Sequence, residues 1–255
     1  LVPGYSATPS TAFALHGLPS ALSVPDISSG LGVPWGAPTA SLLRALSITG
    51  SSPVHQASRS ALEVLDTVDH AMLRDASGKI LPYVPGGKAS YEGAGDLARS
   101  LASVARLARM DVGLAAVCVD HGGWDTHEGQ PGRFANQVRQ LSLGLAAFHE
   151  DMAAASRPVV IVVMTEFGRR LRANKSGGTD HGHGGCWLVL GDQVRGGRMA
   201  GKWPGLATQH LDQGVDLAVT TDYRAVLSEA LNTCGLMTRD EFPDWKATGS
   251  LGLFA

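Results

Sequence analysis

Two short apolar runs, each followed by a glycine-rich segment that carries aspartate and histidine, constrain this chain more than any other feature. The first, Leu114-Ala115-Ala116-Val117-Cys118-Val119, leads into Asp120-His121-Gly122-Gly123-Trp124-Asp125-Thr126-His127. The second, Val159-Val160-Ile161-Val162-Val163-Met164, closes on Thr165 and Glu166. A basic stretch follows, Arg169-Arg170-Leu171-Arg172-Ala173-Asn174-Lys175, and then Gly177-Gly178-Thr179-Asp180-His181-Gly182-His183. A run apolar on both faces predicts a strand buried in a parallel sheet. Open α/β sheets bind ligands beyond the carboxyl ends of their strands, so parallel strands would bring both Asp/His loops to one edge. The glycines let the backbone turn tightly enough for near neighbours to converge.

Asp180, His181 and His183 offer one hard oxygen and two imidazoles, a mixed set that suits zinc or manganese, with calcium or magnesium as alternatives. Asp125 and His127 form a second group of the same kind. The competing readings are a glycine loop held by aspartate side chain-to-backbone bonds and an Asx-turn with an exposed histidine. Asp120 and His121 rank behind these as loop residues. Glu166, at a strand end, reads as a ligand, as an acceptor that orients a ligating histidine, as a general base, or as a partner of Arg169 or Arg170. Arg169 could grip an anionic ester oxygen with its planar fork or form a structural ion pair. No nucleophile elbow, phosphate-binding loop or dinucleotide fingerprint is present.

The chain has 255 residues, enough for a single α/β domain with a sizeable core. Its 44% hydrophobic and 17% charged content is that of a globular protein. A net charge of -2 argues against nucleic acid as a partner. Anion binding must therefore be local, through Arg169, Arg170, Arg172 and Lys175. No apolar run reaches the ~18 residues that span a membrane. Cys118, Cys186 and Cys234 lack a paired spacing and read as buried free thiols.

Residues 1–38 read as an irregular segment across a surface, with room for one short strand. Thr39 is expected to cap a short helix through Leu42, Leu43 and Leu46. Apolar spacing of three and four predicts helices over 58–76, 92–110 and 133–156, the last with Phe134, Val138, Leu141, Leu145, Phe148 and Met152 on one face. Strand 114–119, helix 133–156 and the strand at 159 fit a right-handed βαβ unit. A third strand at 186–190, a strand-like 218–220, and a helix 223–233 capped by Asp222 complete the reading. The tail from Gly235 carries no clear element.

A family likeness rests on Gly123-Trp124-Asp125-Thr126-His127 with Gln130, Glu166-Phe167-Gly168-Arg169, Asn174, and Gly178-Thr179-Asp180-His181-Gly182. Gly196-Gly197-Arg198, Trp203-Pro204-Gly205 and Thr220-Thr221-Asp222-Tyr223-Arg224 extend it. Together they resemble the bacterial domain of unknown function 1501 family, densely from about 92 to 236. Leu18-Pro19-Ser20-Ala21-Leu22 is a looser element of the same kind. That family is grouped with alkaline phosphatases and sulfatases, so the resemblance implies an α/β sandwich with a mostly parallel sheet flanked by helices. It also implies a metal-dependent hydrolase ancestry, with Asp180-His181 similar to the superfamily's ligating pair and Asp125 and His127 similar to its other group at a shorter spacing. Many members carry a twin-arginine export signal, which implies a periplasmic or secreted protein. Members normally have an N-terminal portion that this chain lacks; exposed sheet edges, and hence self-association, would follow.

The expectation is a hydrolase of phosphate or sulfate esters acting on a small anionic substrate. One or two divalent metals would be held by Asp125, His127, Asp180, His181 and His183. Arg169 would steady the anion and Glu166 would orient a ligand or accept a proton. The alternative is a non-catalytic relative that binds metal, carbohydrate or a partner.

Overall fold

The first sheet is built around three residues of the proline-rich N-terminal stretch. In the computed structural model, which describes residues 1–18, 20–236, 242, 244–246 and 249–255, strand β1 is Gly4–Ser6 and strand β2 is Ala21–Ser23. Helices α1 (Ala37–Ile48), α2 (Pro53–Ala71) and α3 (Asp96–Arg109) follow, then β3 (Ala116–Cys118) and α4 (Gln130–Ala154). Next come β4 (Val160–Val163), β5 (Gly168–Arg169), β6 (His181–Gly182), β7 (Leu188–Gly191) and α5 (Tyr223–Thr233). Pro19 and most of 237–248 lie outside the described residues, and with them part of the tail expected to be irregular. No helix among the described residues is long and apolar enough to cross a membrane.

The chain divides into two compact units, residues 1–121 with 139–157 and residues 122–138 with 158–255. In the first, β1 lies between β2 and β3 and pairs with both in parallel, Tyr5 opposite Leu22 and Val117. Segment 1–38 is therefore not a surface strap. It supplies two strands, and Val2, Tyr5 and Ile27 are fully buried. Tyr5 donates its hydroxyl to the Val24 carbonyl at 2.9 Å, and burial pushes its pKa up to about 12. The buried core of this unit also includes Leu62, Val64 and Val68 of α2, Leu97, Leu101, Val104 and Leu107 of α3, and Leu145, Phe148 and Met152 of α4. Phe134 and Val138, expected on the same stripe, are exposed. Gly144 is the close-approach point of α4: a Cβ there would meet Leu97 and Leu101 at 3.0 Å each. Helix α1 begins after Gly36 with Pro38 in its first turn, so Thr39 lies inside it and does not cap it.

A buried carboxylate fastens the loop between α2 and α3. Asp151 of α4 is fully buried and accepts from the Tyr83 hydroxyl (2.7 Å), the Tyr91 hydroxyl (2.9 Å), the Gly86 N–H (2.8 Å) and Arg109 (3.1 Å). Burial and this neighbouring carboxylate hold both tyrosine pKa values above the ordinary phenol range.

The second unit has a different construction. β4 and β7 pair antiparallel, Val160 opposite Gly191 and Val163 opposite Leu188, and β5 and β6 form a two-residue antiparallel ladder. The expected βαβ unit is thus corrected: β3 takes β1 as its neighbour and β4 takes β7. The fold is mixed α/β, with one parallel three-stranded sheet among small sheets, not a mostly parallel one. The four residues of β4 are half-buried, not enclosed on both faces. Residues 218–220 form no strand. Asp222 does cap α5, accepting from the Arg224 N–H at 2.9 Å. All three cysteines are free; Cys186 and Cys234 are exposed, against expectation.

Candidate metal centre

The Asp125 loop and the Asp180 loop are laced together inside the second unit, and the lacing explains why the glycines are needed. Asn174 donates to the His127 carbonyl at 2.8 Å and accepts from the N–H groups of Ser176 (2.9 Å) and Gly178 (3.1 Å). Gln130 N donates to the Gly177 carbonyl at 3.1 Å, and the Thr179 hydroxyl donates to the Gln130 side chain at 3.0 Å. Gly178 rests on the neighbouring backbone: a Cβ there would come within 2.3 Å of the His127 carbonyl carbon. Gly168 and Gly182, opposite each other in the β5–β6 ladder, are as tightly placed, their Cβ positions 1.9 Å from the Gly184 carbonyl and 2.5 Å from the Arg169 carbonyl carbon. That ladder sets His181 opposite Arg169.

Three of the expected ligands converge. Asp125 Oδ1 accepts from His181 Nε2 at 2.7 Å and lies 3.0 Å from His127 Nε2. The ligand atoms of Asp125, His127 and His181 all fall within 4.8 Å of one another, and all three residues are exposed. The imidazoles stack, centroids 4.8 Å apart, and Phe167 lies flat against His181 at 3.9 Å. The His181 hydrogen bond, followed by the nearby His127 and Arg169, holds the Asp125 pKa below its ordinary value despite slight desolvation.

Asp180 sits one step further out. Its Oδ1 accepts from His127 Nδ1 and from Asn174, each at 3.1 Å, and the Asn174 bond followed by the His127 bond lowers its pKa. Arg169 is spent on structure: it donates to the Trp124 and Thr179 carbonyls at 2.5 Å each, lies 3.6 Å from Asp125 and covers the Phe167 ring at 4.8 Å. His183 stands apart from the group and pairs with Asp212 at 2.6 Å. Glu166 is exposed and makes no hydrogen bond or ion pair among the described residues. The roles of Asn174 and Phe167 went unassigned in the sequence. Asn174 had a usable signal, since asparagine before Ser and Gly favours a side chain-to-backbone turn.

The donor set fits a small divalent ion. Two ligand atoms each ~2.1 Å from a tetrahedral ion stand ~3.4 Å apart, slightly wider than the 2.7 and 3.0 Å contacts around Asp125. His127 faces a carboxylate at each ring nitrogen. A neutral imidazole has one N–H and cannot donate to both. A cation held by Nε2 and Asp125 would remove the conflict, as would a second ring proton, and Nδ1–H would then donate to Asp180, the usual outer partner of a ligating histidine.

The family described as protein of unknown function DUF1501 matches residues 66–242, and the chain belongs to that family. No curated protein and no solved structure matches the chain.

Proposed function

We propose that this member of the DUF1501 family is a metal-dependent hydrolase of phosphate or sulfate esters, related in fold to alkaline phosphatases and sulfatases and working outside the cytoplasm. The observation that carries the reading is the convergence of Asp125, His127 and His181. Asp125 Oδ1 and the two Nε2 atoms are the ligands. Asp180 fixes the His127 ring from behind, Asn174 fixes Asp180, and Arg169 ties the two loops so that the three donors keep their spacing. The chemistry that a zinc or manganese ion supplies at such a set is polarisation of an ester oxygen and acidification of a water.

The test is turnover of 4-nitrophenyl phosphate and 4-nitrophenyl sulfate. Activity should vanish with chelator, return with zinc or manganese, and be absent from Asp125→Asn. A second reading, a metal-binding relative without turnover, is favoured by Glu166, which is exposed and which no hydrogen bond or ion pair among the described residues orients as a general base. Metal-loaded protein that turns over neither ester supports that second reading.

A further inference from the structure

The basic stretch 169–175 is only partly used by the metal centre. Arg169 is committed to two carbonyls, but Arg172 is exposed and makes no hydrogen bond or ion pair among the described residues. Arg170 stands 3.7 Å from Asp216, beyond hydrogen-bond distance. Both arginines line a cleft of about 190 Å³ whose apolar wall includes Leu171, Leu211 and Val215. Asn174 and Asp180 also line it, so the cleft shares a wall with the pair that fixes His127.

We propose that this cleft is a subsite for an organic anion: an apolar group of about one ring, ending in a carboxylate, phosphate or sulfate that lies between Arg170 and Arg172. A cavity of ~150 Å³ is enough for benzene, so the volume suits a single ring with a charged substituent. The contact for an anion falls chiefly on Arg172, whose guanidinium faces no carboxylate partner among the described residues, while Arg170 already has Asp216 beside it. Asp180 is in turn engaged by Asn174 and His127. Guanidinium is suited to this because its planar fork matches the oxygens of such groups. Resting on the reading of the adjacent Asp/His group as the ester-hydrolysing centre, the cleft would select esters whose organic portion carries a second negative charge.

The probe is benzoate, with neutral benzamide as its control, titrated into chelator-treated protein and followed by amide chemical shifts of residues 170–174 and 211–215. Benzoate should saturate these shifts and bind about fivefold tighter than benzamide, the scale of one exposed charge contact. Arg172→Gln should erase the difference and Arg172→Lys should keep most of it. Zinc uptake is measured separately on the same proteins. Equal binding of benzoate and benzamide, or a preference that survives Arg172→Gln, overturns the proposal. Wild-type protein that takes up no zinc but binds benzoate through Arg172 defeats the metal reading and leaves the cleft as an anion site.

Discussion

Asp151 and Asp125 are both aspartates that gather several donors, and the difference between them is the difference between the two units. Asp151 is fully buried and receives four donors from the loop and helix it holds. Around it, the first unit contributes the buried aliphatic and aromatic core. The second unit, among the described residues, has Ala230 as its only buried hydrophobic side chain, and Asp125 there is exposed. Its loops are held instead by Asn174, Arg169 and tightly placed glycines. A fully donor-satisfied carboxylate is a structural fastener. An exposed one facing two imidazoles can exchange its donors for an ion.

The comparison breaks most sharply at Asp151. Asp151→Ala takes the acceptor from the Gly86 N–H and from two part-buried tyrosine hydroxyls and should lower unfolding free energy by about 3 kcal/mol, read from urea denaturation. A loss under about 1 kcal/mol would make Asp151 no more structural than Asp125. Next in size is Asp180→Asn, which should weaken zinc binding by about 10–100-fold while leaving the urea midpoint nearly unchanged. Unaltered zinc affinity would mean Asp180 does not orient His127.

A smaller effect is expected at Thr126, whose hydroxyl, between Asp125 and His127, is buried with no hydrogen-bond partner among the described residues. Thr126→Val should be neutral or stabilise by up to about 1 kcal/mol; a marked loss of stability or of zinc binding would show that the hydroxyl has work in the loaded protein. The smallest is at Glu229 of α5, which accepts from the Ser250 hydroxyl at 2.8 Å and the Leu253 N–H at 2.8 Å, and from Leu251 and Gly252. Burial would raise its pKa, but these donors outweigh it and hold the value below the ordinary 4.5. A depressed carboxylate stabilises above its unfolded pKa and loses that contribution as pH falls through the folded value. Amides 251–253 should therefore exchange faster, after correction for intrinsic rate, only at pH below the ordinary 4.5, and Glu229→Gln should show the faster exchange at neutral pH. Exchange independent of pH and of the substitution would remove the clamp.

The helices were legible because three-and-four spacing survives in α2, α3, α4 and α5, and the Asp222 cap was legible from its residue type. The cluster of Asp125, His127 and His181 was legible because these residues lie in glycine-rich loops that follow apolar runs. β1 was not: three residues, Gly4, Tyr5 and Ser6, carry no period, and only pairing with β2 and β3 makes them a strand. The direction of β4 was not legible either, since an apolar run does not specify its partner. Asp180 and His183 look like ligands by proximity in sequence; that they pair with His127 and Asp212 was not legible, because such bonds depend on loops that meet across about fifty and about thirty positions respectively.

The most direct measurement is elemental analysis of the purified protein beside Asp125→Ala and His181→Ala. The account predicts close to one equivalent of zinc or manganese in the wild type, lost from both variants, with all three proteins equally folded. Absence of metal from the wild type after titration with zinc and manganese, or full retention in both variants, would contradict it.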